Sequence, residues 1–202
     1  VAEEIGRVCA PVPFSSSIYL AAEAIERFGS DAQKAHWLPK LASGAAIGTI
    51  AVAEGMQAPS PRTVRATFSG GRLNGVKLPV ADGEAANVCV VLAQSGGSHA
   101  MVLVDLAETG ITRSRVTTVD PTRKHARLAF ENVRAEPLGD PTQGWQQLSA
   151  LYDAAAVYFA FEQIGGAEAA LWMARDYALE RHAFGRPIGS YQAIKHKLAD
   201  MY

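Results

Sequence analysis

ALERHAFGRPIGSYQAIKHKLADM, residues 178–201, decides how the rest of the chain is read. Leu179 and Ala178 end one helical pattern, and Gly185 followed by Pro187 stops it. Ser190 can cap a second helix, which carries Ile194, Leu198 and Met201 on one face. Taken singly, these residues have plain readings. Arg181 is a cation at a helix C-terminus, where the helix dipole favours positive charge. Phe184 can close the helix end by an apolar contact. Gln192, in the first turn of the second helix, is a surface residue by default.

Working upstream, Leu148, Leu151, Ala155, Tyr158 and Phe159 make a helical stripe that Ala167, Leu171, Ala174 and Ala178 continue. Asp153 falls near the start of this stripe, a favourable place for a carboxylate if it is the first turn. Further upstream, residues 47–53, 64–68, 87–93, 100–106 and 127–130 read as short strands. They are separated by Gly, Asn, Asp and Pro, and Gly70-Gly71 and Gly96-Gly97 are placed for hairpin turns. Residues 1–8 read as a helix end broken by Pro11 and Pro13. Ile18, Ala21, Ala22, Ile25 and Phe28 follow helical spacing, with Gly29 as a stop. Ser30 and Gln33 fit a capping box for a short helix carrying Trp37 and Leu38 and ending at Pro39. The order is helix, strand, helix. The fold class is α+β: a helical segment (1–45), an antiparallel β-barrel or sandwich (46–140) and the start of a helical bundle (141–202), both helical domains being incomplete. The sequence begins at Val1 without a methionine and closes at Tyr202 inside a helical pattern, so further bundle helices are expected beyond it.

Composition narrows the function. The chain has 202 residues, 49% hydrophobic, with 19 basic and 20 acidic side chains. That balance gives no electrostatic case for nucleic acid. No apolar run is long enough to span a bilayer, and no signal-peptide pattern occurs at the start. Cys9 and Cys89 form no Cys-x-x-Cys pair, and two buried thiols in a reducing, cytoplasmic compartment are expected. The five histidines form no metal-binding pattern, so no metal is expected. No nucleophile elbow or P-loop is present. On these grounds alone the activity stays open.

The 178–201 stretch resembles the start of the C-terminal helical domain of acyl-CoA dehydrogenases. That pattern runs Arg, two residues, Phe-Gly, then a Gln before a Lys- and Leu-containing helix ending Ala-Asp/Glu-Met. The resemblance covers the whole chain. VAEEIGRVCAPVPF and FGSDAQKAHWLPKLASG look like the family's last N-terminal helices. MVLVDLAETGI and DPTRKHARLAFENVRAEPLG look like its β-domain, and YDAAAVYFAFEQIGGAEAALWMARDYALER like its first C-terminal helices. It implies FAD as cofactor, an acyl-CoA thioester as substrate, α,β-desaturation with hydride transfer to flavin, and an electron-transferring flavoprotein as acceptor. It also implies that Arg181, Phe184 and Gln192 reach the flavin of a neighbouring subunit.

Elsewhere the match thins. The family's own-subunit flavin face carries Thr-Glu-Pro-x-x-Gly-Ser-Asp and Trp-Ile-Thr. Here the first reads AEGMQAPSPRT from Ala53, and Pro79, Val80 and Ala81 replace the second. Backbone groups at Ala53, Val80 and Ala81 remain able to touch a flavin, but the usual hydroxyls and tryptophan are gone. Asp153, in a segment related to Phe-Asp-x-x-Arg, is the candidate for substrate contact. The arginine is Ala156, and the position where one branch of the family has its catalytic glutamate is Ala155. The base is therefore expected beyond Tyr202 or in a partner. The leading expectation is a subunit that shares FAD sites with a second acyl-CoA dehydrogenase subunit in a heterotetramer. Such subunits occur among bacterial enzymes that degrade bulky acyl-CoA substrates, including steroid side chains. Two alternatives stand beside it: a homotetrameric enzyme with an atypical flavin pocket, and a non-catalytic structural subunit of the same fold.

Overall fold

A computed structural model describes residues 1–120 and 122–202. Pro121, inside the DPTRKHARLAFENV stretch, lies outside the described residues. The chain divides into two compact units, Pro11–Ala155 and Val1–Ala10 with Ala156–Tyr202.

In the larger unit, the valine-rich strands dictate the layering. β1 (Gly48–Ala51), β2 (Thr67–Ser69), β3 (Arg72–Ala81), β4 (Val88–Ser95), β5 (Ser98–Asp105), β6 (Ile111–Val116), β7 (His125–Arg134) and β8 (Glu136–Pro137) form one sheet. Its order is β6-β7-β3-β2-β4-β5-β8, with β1 added beside β4. Most pairings are antiparallel, whereas β4 pairs in parallel with both β1 and β2. The path closes into no barrel among the described residues. Side chains alternate between the two faces of a strand, and β4 and β5 are buried on both. Cys89, Val91 and Ala93, with Ala100, Val102 and Val104, join Leu73, Leu128 and Phe130 in one core. Val88, Val90 and Leu92, with Met101 and Leu103, face Ile25, Trp37, Leu148 and Leu151 in the other. Gly70-Gly71 and Gly96-Gly97 do form the hairpin turns, at φ 57° and 75° and at φ 55° and 86°. Those angles are open to glycine at no steric cost.

The helices covering the second core depart from expectation in detail. Residues Ser15–Ala22 wind as a π-helix before continuing as α2 (Glu23–Phe28). The wider turn buries Ser15, Ser16 and Ser17, which the apolar spacing gave no reason to single out. α3 (Asp31–Ser43) has the expected Ser30–Gln33 capping box, but Pro39 lies inside it. The helix runs on to a left-handed Gly44 at φ 75°. Cys9 is exposed, not buried; Cys89 alone sits in the core, and both are free thiols.

In the smaller unit, α1 (Ala2–Arg7) meets the long α4 (Gly144–Glu180) by backbone-to-backbone approach. A Cβ added to Gly6 would lie 1.7 Å from the Glu162 carbonyl oxygen, and one added to Gly165 would lie 1.8 Å from that of Glu3. Arg7 then reaches Glu168 at 2.9 Å. α5 (Gln192–Met201) completes the unit. No helix among the described residues is long and apolar enough to cross a membrane.

Candidate functional site

The end of α4 and the start of α5 are joined by a small hairpin, β9 (His182–Ala183) paired antiparallel with β10 (Arg186–Pro187). Only Phe184 and Gly185 separate the strands, at φ 52° and 77°. A two-residue turn of this hand demands positive φ at both positions, which glycine accepts and an aromatic residue resists. Phe184 is nonetheless placed there with 97% of its surface exposed. It therefore does not close the helix end by an apolar contact. Backbone strain and an exposed ring at one residue are jointly unfavourable for an isolated chain.

Arg181 is the first residue after α4. Its carbonyl accepts from the Ile188 N–H at 2.8 Å. Its guanidinium is exposed and has no side-chain partner among the described residues. Gln192 is the first residue of α5 and is also exposed. Ser190 does not cap that helix: its hydroxyl donates to the Pro187 carbonyl at 2.7 Å, and Tyr191 takes the N-cap position. The hairpin thus brings Arg181, Phe184 and Gln192 into one short exposed segment. A guanidinium fork, an aromatic face and an amide suit a ligand with an anionic group and a flat polar ring. From Arg181 to Ala199 the chain also carries Arg186, Lys195 and Lys197 and no acidic residue.

The larger unit presents a different arrangement. Ala53 and Ala81 are half-buried, Pro79 is exposed, and Val80 is 0% exposed as part of the sheet core. The Ala81 carbonyl is taken by the Thr49 hydroxyl at 2.5 Å, and the Ala53 carbonyl by the Leu78 N–H at 2.9 Å. None of these four side chains can donate a hydrogen bond. Beside them lies a cavity of about 200 Å³ lined by Glu54, Gly55, Met56, Gln57 and Thr63. Glu54, which lines it, belongs to a buried ion pair. Lys77 donates to Glu54 Oε1 at 2.7 Å and to the Val52 carbonyl at 3.1 Å. Glu54 also accepts from the N–H groups of Arg65 and Ala66 at 2.7 and 3.0 Å. One carboxylate therefore ties both ends of the 55–64 loop. Burial lowers the Lys77 pKa, and Glu54 opposes that shift. In the sequence a lone glutamate and a lysine 23 residues later look like solvated charges, so nothing there singles this pair out.

Asp153 is exposed and lies nine residues after Gly144. It is beyond the first turn, so the dipole argument for it fails. The described residues contain no cluster of three or more metal-ligating side chains.

Family models for the acyl-CoA dehydrogenase N-terminal domain and C-terminal domain match residues 1–45 and 142–202. The chain belongs to the acyl-CoA dehydrogenase family. Acyl-CoA dehydrogenase IpdE2 of Mycobacterium tuberculosis is 34% identical over 203 residues, covering 100% of this chain and 50% of that protein. The ChsE4-ChsE5 complex from the same species superposes with a TM-score of 0.84 at 30% identity, over 99% of this chain and 54% of the solved one. A glutaryl-CoA dehydrogenase from Mycobacterium smegmatis, solved with FADH2, gives a TM-score of 0.80 at 28% identity, over 92% and 50%. The chain spans about half the length of the curated relatives it matches. The chain combines helices with a mixed sheet, an α+β fold.

Proposed function

We propose that this chain belongs to a subunit of an FAD-dependent acyl-CoA dehydrogenase, and that the subunit completes a flavin site housed mainly by a neighbouring, non-identical subunit. The observation that carries this reading is the contrast between two halves of a site. Arg181, Phe184 and Gln192 are exposed and in family spacing, whereas Ala53, Pro79, Val80 and Ala81 offer no side-chain donor. The donor set on the hairpin fits FAD: a guanidinium for the pyrophosphate, a ring for the isoalloxazine edge and an amide for a polar group of the cofactor. Bound FAD would supply the two-electron acceptor for the β-hydride as an acyl-CoA thioester becomes a 2-enoyl-CoA.

This chain's own residues then bind and orient. Arg181 would hold negative charge through charge-assisted hydrogen bonds, and Phe184 would shield the site from water. Asp153 would contact the CoA portion of the substrate. No residue here is assigned as the base that takes the α-proton: Ala155 stands where one branch of the family has its catalytic glutamate, Ala156 replaces the neighbouring arginine, and the base would come from beyond Tyr202 or from a partner. An electron-transferring flavoprotein is the proposed acceptor. The likeness to a ChsE4-ChsE5 complex favours a heteromeric assembly, and the likeness to a steroid acyl-CoA dehydrogenase, at a TM-score of 0.84 and 31% identity, favours bulky acyl-CoA substrates such as steroid side chains. A cytoplasmic setting fits this chemistry, as do domains at 1–45, 46–140 and 141–202.

One observation favours a second reading, a homotetramer with an atypical pocket: the Glu54–Lys77 pair still holds the 55–64 loop around a cavity of about 200 Å³. Visible flavin absorbance of the full-length subunit purified alone separates the two. The heteromeric reading expects no retained flavin until the partner is added, and then turnover of acyl-CoA. Flavin retained by the lone subunit would support the homotetramer instead.

A further inference from the structure

The hairpin that follows Arg181 and carries Phe184 has only two paired residues on each side, too few to hold a strained turn by themselves. What fixes it is Tyr191. The Tyr191 hydroxyl donates to the Ala183 carbonyl at 2.9 Å, one residue before the strained Phe184. The Arg186 guanidinium lies over the Tyr191 ring at 4.1 Å from its centroid, on the other side of the turn. Tyr191 is also the N-cap of α5, directly before Gln192. One side chain therefore bridges both strands of the hairpin to the helix that bears Gln192. Its backbone is tied in turn, its N–H donating to the Ile188 carbonyl at 3.1 Å, while the Ile188 N–H holds the carbonyl of Arg181.

We propose that Tyr191, with Arg186 stacked on it, is the positioning residue that locks Arg181, Phe184 and Gln192 into one preformed cofactor-binding constellation. The inference rests on the shared-flavin reading. Its physical basis is preorganisation: a ligand that finds the hairpin already set does not have to order it on binding. Arg186 thereby has a different role from Arg181. Its charge is committed to an aromatic face within the chain, whereas that of Arg181 is free for an anion.

The test uses the full-length subunit co-purified with its partner. Tyr191→Phe deletes the hydroxyl and keeps the ring. It should weaken FAD binding about three- to tenfold, the effect of losing one neutral hydrogen bond. Hydrogen exchange in the 182–191 segment should quicken while other segments are unchanged. In an Arg181→Ala background the same change should produce a smaller further loss, confined to what Phe184 and Gln192 contribute, because Tyr191 acts through the residues it positions. Wild-type FAD affinity in Tyr191→Phe, with Arg181→Ala impaired, would overturn the inference and leave the shared-flavin reading standing. A full additive loss in the double variant would also overturn it. Unchanged FAD binding by Arg181→Ala would refute the shared-flavin reading itself. Hydrogen exchange would then decide alone whether Tyr191 holds the hairpin, and unaltered exchange would refute that too.

Discussion

Lys77 brings a charge into the interior with none of its side chain exposed, and Glu54 is the group that makes this tolerable. Desolvating an ammonium is expensive, and the pair recovers the cost only through good geometry and additional hydrogen bonds. Both conditions are met here by the Val52 carbonyl and the N–H groups of Arg65 and Ala66. Replacing Lys77 by Met leaves Glu54 with no countercharge, and should cost about 3–5 kcal/mol in denaturant unfolding. Adding Glu54→Gln should recover part of that loss. A single variant as stable as wild type would show that the pair does not hold the loop.

Cys89, buried in β4, gives the chain a signature at alkaline pH. Burial pushes its thiol from 9.0 up to about 12. Above pH 9 the unfolded thiol ionises while the folded one stays protonated, so stability present below that pH is lost as pH rises toward 12. Lys77 acts oppositely: with its pKa lowered, the unfolded chain holds that proton longer, and rising pH toward 10.5 favours the folded state. Comparing wild type with Cys89→Ala isolates the thiol. The stability advantage of wild type should shrink by about 2 kcal/mol between pH 9 and about pH 10.5. Parallel stability curves would contradict this.

At the scale of elements, the α1–α4 crossing separates two adjacent glycines. An interior Gly→Ala change in a helix normally gains about 1 kcal/mol. At Gly165 the new methyl would meet backbone at 1.8 Å, and neither helix can yield by a side-chain movement. The clash should win, with a net loss of about 1–3 kcal/mol. At Gly166 the nearest atom is 3.4 Å away, and the same change should be neutral or stabilising by up to about 1 kcal/mol. Thermal unfolding of the two variants reads the contrast, and equal effects would contradict the packing described.

Elements were legible where their signal was local. The Ser30 capping box, the two Gly-Gly turns and the continuous apolar runs of β4 and β5 all follow from short-range rules. β3 was not read as a strand, because Asn74, Gly75, Lys77 and Pro79 interrupt it, and it is held by pairing with β7 and by Gly75 packed on Ala66. β6 was missed because half of its residues face solvent and its pattern is weak. The π-helical turn was invisible, since Ile18, Ala21 and Ala22 fit an ordinary helix equally well. At the site, Arg181, Phe184 and Gln192 stand out only through the resemblance to the family's motif. The hairpin, the strain at Phe184 and the Tyr191 bridge required geometry.

For the whole molecule, the central claim is that each flavin is shared by two kinds of subunit. Its logic is an asymmetry within one chain: an exposed donor set at residues 181–192, and a β-domain face without side-chain donors at Ala53, Pro79, Val80 and Ala81. A charge-assisted hydrogen bond contributes roughly 1.5–3 kcal/mol, so Arg181→Ala in the assembled complex should weaken FAD retention by about ten- to hundredfold without unfolding either subunit. The most direct measurement is the flavin content of the co-purified complex, released by denaturation and titrated against protein. About one FAD for every two subunits is the predicted result; one FAD per subunit would contradict the account.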